Sequence, residues 1–325
     1  MNNHHKLRLK VLTPIHIGSG SDITPAEYFY SEGKCNVINM TSLASDDSFK
    51  PFFEKYLEKT IRHVPIANYV PFEILDKHIL YSMNVFGQAR NKLANNAINI
   101  KSCIKSAGLP YLPGSSIKGS IMSAMVYFVL KTNYPDDNQL ESDLKLWMRN
   151  ANSRRRNFDY NELQKYVMPK LGKQNSGRFV SWLKISDSST VEISDSLNVY
   201  FSEVIGARTQ SKLPILYEAI SEGSEFIISV DTSNCYFDIE EIKDVLFDFF
   251  NGIYELDENG APYNWEAPED SILLRLGQGS TAFSTSLLVL AKDLGLTNDY
   301  KLKPPRTRKR IEGVPMGWLE ILDDE

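Results

Sequence analysis

Residues 6–20 read Lys-Leu-Arg-Leu-Lys-Val-Leu-Thr-Pro-Ile-His-Ile-Gly-Ser-Gly. Basic and apolar side chains alternate from Lys6 to Leu12, and this period of two predicts a half-buried β-strand. The strand ends at Thr13-Pro14, and the glycine pair after His16 predicts a turn. A strand followed at once by a glycine corner is a unit that recurs later in the sequence.

Strands and helices mix along the rest of the chain. Residues 26–30 and 35–39 predict a hairpin around Ser31-Glu-Gly33. Helical spacing of apolar residues predicts helices over 48–62, 117–134 and 238–254, and Ser115 or Ser116 is the candidate N-cap of the second. Residues 81–100 predict a loop with a short helix. Further strands are predicted at 100–105, 179–187, 198–205, 216–220, 225–231, 272–276 and 316–322.

These elements predict an α+β fold in which each half of the chain mixes strands with one or two long helices. The pattern is compatible with the split β-α-β-β-α-β unit. We therefore predict two modules, residues 1–187 and residues 188–325, the first with helical and loop insertions.

The overall composition argues against several classes of protein. The chain has 325 residues, of which 42% are hydrophobic, and its longest apolar run is about half of the roughly 20 residues that a membrane-spanning helix needs. Its scattered cysteines, Cys35, Cys103 and Cys235, show no metal-ligand spacing, which predicts reduced thiols in a cytoplasmic protein with no metal and no cofactor. The net charge of −5 counts against a free-standing nucleic-acid binder. Inside an assembly, an acidic surface can instead face basic neighbours.

Three glycine-rich segments contain candidate phosphate-binding residues, because glycine lets the backbone approach a phosphate and a helix N-terminus offers N–H donors. Each segment alone is also compatible with an ordinary turn. The second segment, Pro113 to Gly119, lacks the Walker pattern of nucleotide-binding loops. The third, Leu276 to Ser280, lacks a dinucleotide-binding fingerprint. The candidates are His16, Gly18, Ser19, Gly20, Gly114, Ser115, Ser116, Lys118, Arg275, Gly277, Gln278, Gly279 and Ser280.

A basic run lies near the end of the sequence, with six cations and no acid between Lys301 and Arg310. Prolines and a threonine interrupt it, which predicts an extended loop. Such a run suits phosphate contact through Arg306, Arg308, Lys309 and Arg310. The alternative is a solvated linker.

Taken together and in this order, the glycine segments resemble the RAMP superfamily of type III CRISPR effectors. The residues that carry the resemblance are Leu12-Thr-Pro-Ile-His-Ile-Gly-Ser-Gly20, Leu112-Pro-Gly-Ser-Ser-Ile-Lys-Gly119 and Leu274-Arg-Leu-Gly-Gln-Gly-Ser280. The later segments resemble the type III-A (Csm-type) subunit that caps the complex at the 3′ end of the crRNA. These are Tyr217–Phe226, Pro305-Arg-Thr-Arg and Pro315-Met-Gly-Trp-Leu319.

The resemblance implies two ferredoxin-like, RRM-like modules that bind crRNA in antiviral defence. It implies contact with backbone and small subunits, and crRNA maturation with recruited host nucleases. It also implies that Arg208 and Lys212 lie in a loop that projects between nucleotides. Because the aromatic RNP1 pattern of ordinary RRMs is missing, we expect backbone contacts with little sequence preference.

Two alternatives stay open. His16 has a residue type suited to general acid or base work, which would make the protein a metal-independent endoribonuclease. No second catalytic histidine is evident, so we expect a non-catalytic subunit in which His16 contacts its own loop or a phosphate. The other alternative is a backbone subunit that repeats along the guide RNA.

Overall fold

The computed structural model describes residues 3–95, 97–152, 160–172, 181–206, 215–260, 264–278, 283–296 and 307–323. The strands of these residues are β1 His4–Val11, β2 Gly18–Ile23, β3 Tyr28–Ser31, β4 Lys34–Ile38, β5 Ile79–Val85, β6 Ile100–Cys103, β7 Lys105–Ser106, β8 Leu109–Pro110, β9 Lys184–Ile185, β10 Leu197–Gly206, β11 Ile215–Ile220, β12 Glu225–Asp231, β13 Leu273–Arg275, β14 Thr307–Ile311, β15 Val314–Pro315 and β16 Trp318–Asp323. The helices are α1 Met40–Ala44, α2 Phe53–Ile61, α3 Phe72–Leu75, α4 Gln88–Asn95, α5 Gly114–Asn133, α6 Asn138–Asn152, α7 Tyr160–Leu171, α8 Ile193–Ser196, α9 Ile239–Gly260 and α10 Phe283–Asp293.

One sheet is built around β1, which lies between two strands from the far end of the sequence. Its order is β13-β16-β1-β12-β9, and every neighbouring pair is antiparallel. Leu7, Leu9 and Val11 are buried while the basic residues between them are partly exposed, which confirms the predicted alternation. Helices α5, α9 and α10 pack together, and α5 and α9 contact strands of this sheet.

The second sheet has the order β2-β6-β11-β10-β5-β4-β3, and the short strands β14 and β15 extend it from β10. The β6–β11 and β10–β5 pairs are parallel and the other pairs along this path are antiparallel. Val199 and Leu216 belong to the same hydrophobic core as β1. A smaller core around Phe29, Leu43 and Phe49 lies at the β3 edge.

The α+β class and the hairpin around Gly33 are confirmed, because strands and helices mix as predicted and β3 pairs with β4. Strands from both halves of the sequence share both sheets, since β1 pairs with β12 and β6 pairs with β11. The module boundary at residue 187 stays a prediction.

Four local predictions were wrong, each because of a tertiary contact or a backbone effect. The turn predicted after His16 is instead strand β2, which pairs with β6 across a register shift. The helix predicted over 48–62 begins as a 3₁₀ turn that contains Pro51, which has no N–H to donate, and becomes α-helical only at Phe53. The short helix predicted within 81–100 is present as α4, but the loop predicted before it is most of β5, which β4 and β10 enclose. The extended loop predicted for the basic run is strand β14 from Thr307 onward, paired with β10.

The three cysteines are free and buried, and burial raises the pKa of each thiol. Among the helices of the described ranges, none is both long enough and apolar enough to cross a bilayer.

Candidate functional site

The first and third glycine segments meet at one corner of the molecule. The backbone N–H of Gln278 donates to the carbonyl of His16 at 2.9 Å. Gly277 has a φ of +70°, and a Cβ there would lie 2.2 Å from the His16 oxygen, so only glycine allows this approach. The neighbouring Gly317 donates to the carbonyl of Pro14 at 3.0 Å. Backbone contacts therefore join the ends of β1, β13 and β16.

The imidazole of His16 is buried at this corner, with 2% of the residue exposed. Its Nδ1 lies 2.7 Å from the carbonyl oxygen of Glu218. A carbonyl can only accept, so Nδ1 bears the proton and Nε2 is left as an acceptor. Burial lowers the pKa of His16, against the opposing effects of the Glu218 carbonyl and carboxylate, and the neutral ring therefore predominates at pH 7.

Two lysines lie beside this histidine. Lys309 of β14 donates from Nζ to the hydroxyl of Tyr217 at 2.8 Å and also to Oε1 of Gln278. Lys101 of β6 pairs with Asp22 at 2.8 Å, and both ammonium groups are close enough to lower the pKa of His16. The Tyr217 ring lies 4.6 Å from the His16 ring, measured between centroids.

We call the group formed by His16, Gly18, Tyr217, Gln278 and Lys309 the His16 site. Gly18 and Gln278 are exposed at its surface, and Tyr217 lies beneath with 2% exposed. Ser19 and Gly20 continue the exposed edge strand from Gly18. The site therefore presents backbone and amide groups to solvent with a cation behind them.

A buried carboxylate supports the His16 site from within the protein. Glu218 is fully buried, and its Oε2 accepts from Lys105 Nζ at 2.6 Å and from the backbone N–H of Cys103 at 2.8 Å. The hydroxyls of Tyr81 and Ser102 complete its shell at 2.6 and 3.1 Å. These bonds hold β11 against β6 and β5, and thereby fix the carbonyl that orients His16.

The second glycine segment faces a different part of the chain. Helix α5 begins at Gly114, whose N–H donates to Asp187 Oδ1 at 2.8 Å, and Pro113 holds the cap position that was predicted for Ser115 or Ser116. Lys118 donates to Ser181 Oγ and to the Leu183 carbonyl. A Cβ at Gly114 would lie 2.5 Å from the Ile185 carbonyl, so glycine permits this packing. Ser120, one residue beyond this segment, donates to the Arg275 carbonyl of the third segment at 2.9 Å.

Replacing Asp187 with alanine is expected to lower the free energy of unfolding by about 1 kcal/mol, because the first amide of α5 loses its acceptor. Urea denaturation of the purified chain measures the change. Asp195→Ala, also an exposed aspartate, is the matched control and should change stability by less than about 0.5 kcal/mol. Equal losses in the two variants would contradict this capping role.

The remaining candidates differ in their burial and position. Arg275 is buried, donates to the Met316 carbonyl at 3.1 Å and lies over the Trp318 ring. Arg310 is also buried, and Ser115 is exposed. Arg308 belongs to β14. Outside the described residues lie Arg208, Lys212, Gly279, Ser280 and Arg306. RNA contact by each of these candidates stays a prediction.

Sequence reasoning missed three members of this neighbourhood: Lys101, Tyr217 and Glu218. The signal for Glu218 was available, because a single acid in the apolar strand 216–220 must have internal partners if it is buried. The described residues include no group of three histidine, cysteine or acidic side chains placed to hold a metal ion.

The sequence model of the RAMP superfamily matches residues 8–282 of this chain. A protein of Streptococcus thermophilus described as "CRISPR system Cms protein Csm5" is 26% identical over 338 residues, which cover 98% of this chain and 89% of that protein. A protein of Methanocaldococcus jannaschii with the same description is 26% identical over 195 residues. That match covers 58% of this chain and less than half, 43%, of the relative.

Solved structures share the fold. A chain of a Csm–crRNA–target RNA ternary complex of a type III-A CRISPR-Cas system superposes with a TM-score of 0.70, covering 98% of this chain and 100% of that one, at 19% identity. The crystal structure of T. onnurineus Csm5 superposes with a TM-score of 0.69, covering 96% of this chain and 99% of that one, at 20% identity.

Proposed function

Because this chain belongs to the RAMP superfamily, we propose that it is a crRNA-binding subunit of a type III-A CRISPR effector complex in the cytoplasm. In this proposal it caps the crRNA at its 3′ end and supports crRNA maturation in antiviral defence, with two ferredoxin-like modules at residues 1–187 and 188–325. Likeness to Csm5 proteins over nearly the whole chain supports the identity of the complex. The observation that carries RNA binding is the His16 site, where an exposed glycine strand lies beside two cations.

The chemistry of the His16 site suits a nucleic-acid backbone rather than a particular base. Gly18, Ser19 and Gly20 expose main chain at a sheet edge, where a phosphate can approach closely. Lys309 is held by Tyr217 and Gln278, so its charge is positioned before any ligand arrives. Contacts of this kind read no sequence and give salt-dependent affinity.

Replacing both Lys101 and Lys309 with alanine is expected to weaken RNA binding and to flatten its salt dependence. For a single strand, the slope of log affinity against log salt falls by about 0.7 for each cation that contacts a phosphate. Fluorescence anisotropy with a single-stranded RNA at several salt concentrations measures both quantities.

The matched control is the double variant Lys50→Ala with Lys77→Ala, which changes the net charge equally at exposed lysines beside the β3-edge core. Its salt slope should equal that of the wild type. If both double variants change the slope alike, general charge rather than the His16 site explains the binding.

A second candidate function is metal-independent RNA cleavage, favoured by the neutral His16 imidazole beside Tyr217 and Lys309. We favour a non-catalytic subunit because, among the described residues, no second histidine belongs to the His16 site to protonate a leaving group. Incubation of the full chain with precursor and target RNA in EDTA should leave the RNA intact. Discrete cuts that vanish in His16→Asn would establish the nuclease instead.

Assembly is tested on the complex itself. We propose that the partners are crRNA and the Csm-type backbone and small subunits, with host nucleases recruited for maturation. Native mass spectrometry of the complex purified through this chain should give one copy of it per particle, whereas a repeating backbone subunit would give several. Ultraviolet crosslinking should join crRNA to peptides that contain residues 16–20 or 277–280.

A further inference from the structure

We propose that His16 makes the His16 site selective for RNA over DNA, by accepting a hydrogen bond from a ribose 2′-hydroxyl at Nε2. This inference rests on the proposed function and adds to it the atom that distinguishes the two nucleic acids. It identifies a contact that every nucleotide of an RNA strand can make and that no deoxynucleotide can make.

The first step is the orientation of the imidazole. The bond from Nδ1 to the Glu218 carbonyl fixes which nitrogen bears the proton, and Glu218 is itself held by Lys105, Tyr81 and Ser102. Packing against Tyr217 restricts the ring further. The acceptor is therefore set in place before a ligand binds, which reduces the entropic cost of the contact.

Nε2 of His16 is available to accept a hydrogen bond. His16 is 98% buried, and within the described residues Nε2 has no hydrogen-bond partner. Nε2 is not among the fully buried side-chain atoms that lack a partner, so a ligand that can donate a hydrogen bond is able to reach it. Because Nε2 is an acceptor in the neutral ring, the ligand must supply a hydroxyl or an amine rather than a phosphate oxygen.

Gly18 leaves room for a ligand to reach Nε2 of His16. The position that a Cβ of residue 18 would occupy lies 3.3 Å from Nε2, and Gly18 is exposed. The missing side chain thus leaves an opening over the nitrogen. The adjacent cations Lys309 and Lys101 would hold the phosphates that flank a ribose in this opening. Among the donors of RNA, the 2′-hydroxyl is next to the phosphates and is independent of the base.

Two variants test the inference in different ways. In His16→Asn, the shorter side chain keeps an N–H near the position of Nδ1 and has no atom at Nε2. In Gly18→Ala, a methyl group covers Nε2 at about 3.3 Å, a tight contact that needs only a small shift, and the φ of residue 18 is outside the left-handed region. The matched control is His63→Asn, an exposed histidine whose φ of 53° suits asparagine.

The probes are one single-stranded RNA and the same sequence with 2′-fluoro sugars, which keep an RNA-like pucker but cannot donate a hydrogen bond. Fluorescence anisotropy with the full chain should show about 5-fold tighter binding of the RNA by the wild type and by His63→Asn, the effect of one neutral hydrogen bond. This ratio should fall to about 1 in both His16→Asn and Gly18→Ala. Circular dichroism confirms that each variant is folded, and if His16→Asn fails to fold, Gly18→Ala decides the question.

Equal affinity of the wild type for the two probes would overturn the inference and leave RNA binding intact. Failure of the wild type to bind either probe would overturn both the inference and the proposed function. A ratio that persists in Gly18→Ala would place the 2′-hydroxyl contact elsewhere and also overturn it.

Discussion

Replacing Glu218 with alanine is expected to lower the free energy of unfolding by about 4 kcal/mol, the largest effect of any change considered. The carboxylate is fully buried and accepts from Lys105, Tyr81, Ser102 and the backbone of Cys103. Its removal leaves a largely buried ammonium and several donors without an acceptor. Urea denaturation followed by circular dichroism measures the loss.

Two further variants sharpen this test. Glu218→Gln keeps the shape and still accepts hydrogen bonds, so it should lose less, about 2 kcal/mol, mainly from the lost charge opposite Lys105. Asp47→Ala removes the partner of Lys50 in an exposed ion pair and should cost less than about 0.5 kcal/mol. A Glu218→Ala protein within about 1 kcal/mol of the wild type would show that the network does not hold the strands together.

The second large effect is expected at Gly277. Alanine at its φ of +70° costs about 1–2 kcal/mol from the left-handed backbone, and displacing the His16 carbonyl costs about 1–3 kcal/mol more. We therefore expect a total loss of about 3 kcal/mol in the free energy of unfolding. Because the displaced carbonyl belongs to His16, RNA affinity should fall together with stability.

Gly223→Ala separates the two contributions. Gly223 has a φ of +85° but no atom within 4 Å of the added methyl, so this variant should lose only the backbone share of about 1–2 kcal/mol. The comparison is made by urea denaturation under the same conditions. If Gly223→Ala and Gly277→Ala lose the same amount, the close approach to His16 contributes nothing.

Local sequence patterns correctly predicted the elements whose buried and exposed residues alternate regularly. The alternation of Lys6 to Leu12 was sufficient for β1, because one face of that strand is buried from Leu7 to Val11. The basic strand β14 was missed because its charges resemble those of a linker, and pairing with β10 and β15 makes the segment a strand. Similarly, β5 was missed because the asparagine-rich residues after it made the whole stretch look like a loop, whereas β4 and β10 pair with it on both sides.

The sequence predicted individual residues of the candidate site but not the contacts that bring them together. The sequence indicated His16, the glycines and Lys309, since those residue types suit phosphate contact. It did not indicate that the His16 carbonyl meets Gln278 or that Glu218 orients the ring, because both contacts join residues more than 200 positions apart. The bond that Gly114 donates to Asp187 gives this aspartate a structural role.

The position of β1 between β12 and β16 has a consequence for synthesis in the cell. The first strand to leave the ribosome cannot gain its second neighbour until residue 318 has been translated, roughly 15–60 s later at ordinary elongation rates. During this interval the backbone N–H and C=O groups along one edge of β1 have no strand partner. Nascent chains should therefore depend on chaperones or on early association with other subunits, and slow codons late in the message should lower the soluble yield.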